Sequence, residues 1–338
     1  MFPSPISVDL RRMAGKREKH RDRLNQLTDS FIYSEILPII SFKYVVCCSI
    51  LSSKWRFLWT KMPRLNFSSH DFQNLQPHKI EEIIDGVLHL HSASTLEIFQ
   101  VEAFLDDYNS ACVCKWIEFA ALKGVKNITL CNLVNMNTPG RKRRMEVPSS
   151  LFACNTLIKL EMVDLAFPKI PTNVEGFHYL KTCYLSHILG LNDEALQQLL
   201  GLCPLVENLG FEYCGQLRNL IISTPNLRYL SIEYCLKVKS LKTECPQLRE
   251  IKLANSIFRE DHPWSEFKLL ECFSAVESVK SITLINYGGT YPPPNFNFTV
   301  LGCFLHLEEL TIHGECFEER FMEEEEEPED VTFPNLKK

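Results

Sequence analysis

The feature that most constrains the fold is an internal repeat in the second half of the chain. Three similar segments begin at Cys203-Pro204, Thr224-Pro225 and Cys245-Pro246, so the step between copies is 21 residues both times. Two copies also end alike, in Glu-Tyr-Cys at 212–214 and 233–235. A unit of this length cannot bury an apolar face alone, so the units must stack and share one core. The sequence therefore predicts a solenoid.

Each copy carries the pattern of one β-strand. An apolar residue is followed by two more, three and five positions later, and the last two alternate as one face of a strand does. Leu209, Leu230 and Ile251 are equivalent, and we expect them side by side on neighbouring parallel strands. The same pattern recurs elsewhere, at Val125/Ile128/Leu130, Leu157/Leu160/Met162, Leu180/Cys183/Leu185, Val279/Ile282/Leu284 and Leu307/Leu310/Ile312. Steps of about 20 to 30 residues with this signature are typical of leucine-rich repeats.

The segments that return between strands are predicted to be of two kinds. Around 217–222 and 238–243 there is room only for short β segments. Residues 192–202 have an apolar stripe at helical spacing, with Asn192 or Asp193 as the cap. Shorter helical patterns lie at 85–91 and 114–122. The predicted fold class is thus α/β, a leucine-rich-repeat solenoid with a parallel sheet and mixed helical and short β returns.

Composition excludes several classes of protein. Of 338 residues, 45% are hydrophobic and 23% charged, which is too apolar for a disordered chain. The 36 Lys and Arg against 42 Asp and Glu give a net charge of −6, so no overall positive field gathers phosphates and we expect no nucleic-acid partner. No apolar run approaches the roughly 20 residues that span a bilayer, so we expect no membrane segment.

Catalytic and metal-binding motifs are not recognisable. Cys47-Cys48 would need a histidine base and an orienting group, and no such motif surrounds the ten histidines. The 14 cysteines are spread along the chain without zinc spacing, and we expect reduced, mostly buried thiols of an intracellular protein. We therefore expect no enzyme activity, no catalytic residue, no metal and no cofactor.

Three regions are predicted. Residues 1–21 form a basic flexible tail, 22–67 a small module of three short helices, and 68–338 the solenoid. The last repeat opens at 333–338 and stops, so we expect a solenoid truncated at its carboxyl terminus. The run 323–330 is rich in glutamate and is predicted to be a solvated acidic loop.

The helical module contains the segment Ser-Ile-Leu-Ser-Ser-Lys-Trp-Arg-Phe-Leu-Trp at 49–59. With this segment as its most specific part, the module resembles the F-box of plant F-box/leucine-rich-repeat proteins. The resemblance implies that this module docks onto the Skp-type adaptor of a cullin–RING ubiquitin ligase. The adaptor-binding residues implied by it are Leu27, Ile36, Leu37, Val45, Val46, Leu51, Trp55 and Leu58. The alternative is that these side chains pack inside the module, since Trp is both a common interface anchor and a common core residue.

Two functions follow from this resemblance. In the first, the chain is the substrate-recognition subunit of an SCF-type ligase in the nucleus or cytoplasm, and the repeats bind an unknown target protein. In the alternative, the chain is a leucine-rich-repeat interaction scaffold whose degenerate module, with Pro38 inside a predicted helix, no longer binds the adaptor. Candidate target-binding residues are those between the buried positions of the strands: Asn208, Gly210, Tyr229, Ser231, Glu250 and Lys252.

Overall fold

A computed structural model describes most of the chain. The residues it describes are 26–37, 39–52, 54–72, 75–105, 110–133, 144–255, 273, 276–286 and 304–313. The predicted tail 1–21, the acidic loop 323–330 and Pro38 lie outside these ranges. The contacts divide the chain into two units, residues 1–59 and 60–338.

The second unit is built on one parallel sheet of ten strands. Within the described residues, the strands in chain order are β1 (Arg64–Phe67), β2 (Ile98–Ala103), β3 (Asn127–Asn132), β4 (Lys159–Val163), β5 (Thr182–Ser186), β6 (Asn208–Glu212), β7 (Asn219–Ile222), β8 (Tyr229–Glu233), β9 (Ser240–Thr243), β10 (Glu250–Asn255), β11 (Ser281–Asn286) and β12 (Glu309–His313). The order across the sheet is β1-β2-β3-β4-β5-β6-β8-β10-β11-β12, so each strand pairs with the strands of the preceding and following repeats. This arrangement confirms the α/β leucine-rich-repeat solenoid.

The register of the sheet matches the repeat in the sequence. Leu209 pairs with Leu230, and Leu230 with Ile251, on successive strands. All three are at most 1% exposed. Because equivalent residues of neighbouring repeats touch in this way, their apolar side chains form one continuous core. The expectation that these three residues lie side by side is confirmed.

Return segments of both predicted kinds, helical and short β, are present, but others are of neither kind. Among the described residues the α-helices are α1 (Asp29–Phe31) and α2 (Phe42–Cys47) in the first unit, and α3 (Pro77–Leu90), α4 (Ser110–Leu122) and α5 (Asp193–Leu202) in the second. The segment before β4 holds a 3₁₀ turn at Ser149–Ala153, and the segment between β4 and β5, which is described throughout, holds no helix or strand. The side chain of Asn192 caps α5 by accepting a hydrogen bond from the backbone N–H of Ala195 at 2.9 Å. In the 21-residue repeats β7 and β9 replace the helix and pair in parallel with each other. We call this two-stranded sheet the return wall.

Helices α3 and α4 are longer than their sequence patterns predict. Pro77 lies in the first turn of α3. Backbone N–H groups in that turn have no acceptor within the helix, so the missing N–H of proline costs no hydrogen bond there. Within the described ranges, no helix combines the length and apolarity needed to cross a bilayer.

The first unit consists of short helical segments. A single turn, α1, continues into a π-helix at Ile32–Ile36, and α2 continues into a 3₁₀ turn at Cys48–Ile50. A further 3₁₀ turn covers Trp55–Phe57. Thr28 caps α1 by accepting the backbone N–H of Phe31 at 3.3 Å. Strand β1 already belongs to the sheet, so the sheet begins within the range 22–67 that the sequence assigns to the helical module.

Candidate functional site

The large sheet presents one face that is not the core. Along each strand, buried residues alternate with residues whose side chains lie on the opposite side, and we call that side the open face. From β5 through β6 and β8 to β10 it carries Glu212, Glu233 and Glu250 but only one cation, Lys252. This part of the open face is therefore acidic.

The six predicted target-binding residues all lie on this part of the open face, but they are not equally accessible. Glu250 is exposed, and Asn208, Tyr229 and Lys252 are half-buried. Gly210 and Ser231 are buried, and Ser231 is only 1% exposed. The expectation that all six are accessible is wrong for these two. Gly210 is covered by a ring on the neighbouring strand β5, and the hydroxyl of Ser231 is turned to Glu233 on its own strand.

Tyr184 covers Gly210. A Cβ atom added at Gly210 would lie 2.5 Å from Cδ2 of the Tyr184 ring, so the glycine makes the space in which the ring lies. The Tyr184 hydroxyl donates a hydrogen bond of 2.7 Å to Oε2 of Glu212. Ser186 donates to the same oxygen at 2.8 Å. Burial and the hydrogen bond to Glu212 raise the pKa of Tyr184, so the phenol stays protonated and is held as a donor.

Glu233, the neighbour of Glu212 on β8, has a cationic partner. Its Oε2 lies 2.8 Å from the Lys252 ammonium, and its Oε1 accepts a hydrogen bond of 2.6 Å from Ser231. Burial opposes the charge of Lys252, but the hydrogen bond and charge of Glu233 outweigh it and raise the pKa of Lys252. Glu233 is 8% exposed, so the carboxylate of this pair is largely withdrawn from water, whereas the half-buried Lys252 keeps part of its side chain in solvent.

Three aromatic rings are stacked where the strands end. His187, Tyr213 and Tyr234 directly follow β5, β6 and β8, with ring centroids 4.3 Å and then 4.5 Å apart. All three have positive φ, between 50° and 54°, a conformation that bulky residues rarely adopt. Each donates its backbone N–H to a carbonyl at the end of the next pairing strand, as Tyr213 does to Glu233 at 3.0 Å. These backbone hydrogen bonds to the neighbouring strand thus stabilise the three residues in their positive-φ conformation.

The predicted adaptor-binding residues of the first unit divide into two groups. Leu37, Val45, Trp55 and Leu58 are buried, and Trp55 is 3% exposed. Leu27, Ile36 and Val46 are half-buried, and Leu51 is 50% exposed. The buried group fits the alternative of internal packing, and Leu51 is the member most accessible to a partner.

Several apolar side chains that the sequence did not single out are exposed in the same unit. Within residues 26–59 they are Phe31, Ile39, Tyr44, Ile50 and Phe57, which together with Leu51 are 47–86% exposed. Exposed apolar side chains that form a contiguous patch are characteristic of protein–protein contact sites, and these six fall within 27 residues of the sequence. We call these six residues the exposed apolar set.

The described cysteines are all free thiols. Burial raises the pKa of Cys154 and that of Cys203 to about 12, and it also raises the pKa of Cys183. Thiols of this kind are protonated at neutral pH and are poor nucleophiles. Among the described residues, no group of three or more His, Cys, Asp or Glu side chains is placed to hold a metal ion.

Sequence reasoning missed the residues that make the open face chemically distinctive. Tyr184, Glu212 and Glu233 are not among the predicted target-binding residues, although the last two fall in the repeated Glu-Tyr-Cys ending. The repeated ending could have identified Glu212 and Glu233, because residues 21 positions apart in this region pair with each other on neighbouring strands. The position of Tyr184 had no such signal, since its ring is placed by a glycine on another strand.

Comparison with known proteins finds plant relatives of the repeat region. A family model described as "FBD-associated F-box protein At5g56370, LRR repeats" matches residues 113–272. F-box/FBD/LRR-repeat protein At5g56420 of Arabidopsis thaliana is 29% identical over 217 residues, which cover 62% of this chain and 48% of that protein. F-box/FBD/LRR-repeat protein At4g00160 of the same plant is 30% identical over 189 residues, covering 56% and 40%.

These similarities confirm the resemblance to plant F-box/leucine-rich-repeat proteins. The matched family model describes the repeats, so the F-box character of residues 22–67 stays a prediction. The chain spans about half the length of the curated relatives it matches.

Proposed function

We propose that this relative of the plant F-box/leucine-rich-repeat proteins is a non-catalytic substrate receptor of an SCF-type ubiquitin ligase. The first unit docks a Skp-type adaptor, and the open face of the sheet binds a target protein. Ubiquitin transfer then depends on proximity, because a receptor supplies effective concentration and not side-chain chemistry. Such a receptor works inside the cell, in the nucleus, the cytoplasm or both.

The observation that carries this proposal is the exposed apolar set of the first unit. Ile50 is 86% exposed, Phe57 62% and Leu51 50%, although each is a residue type that is usually buried. Leu51 is also one of the residues that the F-box resemblance assigns to the adaptor. A partner that covers these side chains would remove them from water, and each Å² of apolar surface buried would stabilise the complex by about 25 cal/mol.

The test is binding of the full chain to a purified plant Skp-type adaptor. We expect submicromolar affinity, lowered at least about tenfold by Leu51→Asp or Ile50→Asp, because a charge at a buried interface is costly. Leu122→Asp is the matched control, since Leu122 is 87% exposed at the end of α4 in the second unit. Trp55→Ala is unsuitable, because Trp55 is buried and its removal would test the stability of the unit.

A second candidate function is supported by the buried group of predicted adaptor residues. Since Leu37, Val45 and Trp55 pack inside the first unit, that unit can also serve as a structural element of an interaction scaffold. In that case the full chain would not bind the adaptor at all, and the Leu51 and Ile50 variants would match the parent chain. That result would rule out the ligase proposal and leave the scaffold.

A further inference from the structure

We propose that the target protein places a basic side chain, arginine or lysine, against Glu212 on the open face. This inference rests on the proposed function of that face as a target-binding surface. It deepens the proposal by naming the chemistry of the contact.

The first argument is an imbalance between two equivalent carboxylates. Glu212 and Glu233 are paired neighbours on β6 and β8. Glu233 has the Lys252 ammonium at 2.8 Å, from the strand that follows its own in the sheet. For Glu212 on β6, the strand that follows in the sheet is β8. The residue of β8 equivalent to Lys252 is Ser231, which pairs in register with Lys252. Among the described residues no lysine or arginine forms an ion pair with Glu212 within 4.0 Å, and Lys252, whose pKa the charge of Glu212 also helps to raise, makes its direct contact with Glu233.

The second argument is that Glu212 is held in place for a charged partner. Both of its neutral donors, Tyr184 and Ser186, donate to Oε2, at 2.7 and 2.8 Å. The side chain is half-buried, so a cation that reached it would be partly screened from water and would interact more strongly than at an exposed carboxylate. A fixed acceptor costs less entropy on binding than a mobile one.

The third argument is the set of tyrosines around this carboxylate. Tyr184 and Tyr229 lie on the open face, and Tyr213, 42% exposed, has its pKa raised by burial and by the charges of Glu212 and Glu233. Tyrosine supplies rigid contact area with a polar tip and is enriched at protein interfaces. Arginine fits this setting well, because its guanidinium pairs with carboxylates and stacks on aromatic rings. Independently of Glu212, the tyrosines favour a protein partner.

The experiment is a selection of random peptides displayed on phage against the immobilised full chain, followed by affinity measurement for the enriched peptides. We expect enrichment of peptides with an arginine or lysine that cannot be replaced by alanine. Their affinity should fall at least about tenfold on Glu212→Gln and weaken as salt is raised. Glu244→Gln is the matched control, because Glu244 is an exposed carboxylate that follows β9 on the return wall.

A second variant tests the same idea without removing the carboxylate. Ser231→Lys places a cation beside Glu212 as Lys252 is placed beside Glu233, so it should also abolish binding of the basic peptides. Circular dichroism and thermal unfolding are measured for both variants first, and Glu212→Gln, which keeps the size of the side chain, decides the test if Ser231→Lys does not fold.

Three outcomes would overturn the inference. The first is that the enriched peptides contain no basic residue. The second is that basic peptides bind the Glu212→Gln chain as tightly as the parent chain. The third is that no enriched peptide binds the parent chain more tightly than the Glu212→Gln chain. None of these outcomes involves the adaptor, so the receptor proposal is judged separately by the adaptor-binding test.

Discussion

Replacing Gly210 by alanine should destabilise the chain through a residue on another strand. The new Cβ would lie 2.5 Å from Cδ2 and 3.0 Å from Cε2 of Tyr184. Ordinary carbon–carbon contacts are about 3.5 to 4.0 Å. Strand β6 is held by pairing with β5 and β8, so the ring must move, by about 1 Å, to restore that separation.

The magnitude follows from what the ring is attached to. A shift of this size takes the hydroxyl of Tyr184, now 2.7 Å from Glu212, out of hydrogen-bond range. A hydrogen bond to a charged group contributes about 1.5 to 3 kcal/mol. Alanine in place of glycine within a strand returns about 0.5 to 1 kcal/mol. The net loss in the free energy of unfolding should therefore be about 0.5 to 2.5 kcal/mol.

Urea unfolding followed by circular dichroism measures this loss. Gly215→Ala is the control, because a Cβ at Gly215 meets nothing within 4 Å and should change little. The decisive comparison is Gly210→Ala made in a Tyr184→Ala chain, where no ring is left to displace. There the substitution should be neutral or slightly stabilising. An equal cost in both backgrounds would refute the reasoning.

Three other substitutions probe the core, a helix cap and a buried histidine. Leu230→Ala, at a fully buried position between Leu209 and Ile251, should lower the free energy of unfolding by about 3 to 5 kcal/mol in urea, whereas exposed Lys239→Ala should change it by less than about 0.5. Asn192→Ala removes the cap of α5 and should cost about 1 kcal/mol; a loss of the same size on Gln198→Ala, within that helix, would contradict the capping role. Burial lowers the pKa of His91, whose Nε2 donates to the carbonyl of Met62 at 2.8 Å while its Nδ1 lacks a hydrogen-bond partner. The unfolded chain therefore binds a proton below about pH 6.5 that the folded chain resists, so this residue should lower stability by up to about 1.4 kcal/mol per pH unit as pH falls below that value, down to the native pKa. His91→Gln should flatten the pH dependence of the urea midpoint, and an unchanged slope would contradict this account.

The repeat region could be predicted from the sequence because its signal is local and repeated. A period of 21 residues fixes which residues pair, as it does for Leu209 and Leu230, and a two-residue alternation fixes which of them face the core. The short β returns followed from the same spacing, since too few residues remain there for a helix. Asn192 was one of two predicted caps of α5, with Asp193 as the other, because an N-cap depends only on its immediate neighbours.

The chemistry of the open face could not be predicted in the same way. Alternation places Gly210 and Ser231 on that face, but it does not reveal that a ring covers the first. Similarly, the cationic partner of Glu233 is Lys252, which lies on the next strand of the sheet. That Glu212 has no equivalent partner can be recognised only once the register of the strands is known. The first unit is the weaker prediction because its segments are short and no repeat supports them.

The strict pairing of β6, β8 and β10 also bears on how such a chain can change over generations. Residues 208–228 and 229–249 are successive units of equal length, and each unit ends where the next one begins its strand. Unequal recombination that duplicates or deletes one of them would leave the remaining strands in register and the hydrophobic interior closed. The surface would change in one step, with a carboxylate or a tyrosine gained or lost. New binding specificities can therefore arise in this architecture without an intermediate that fails to fold.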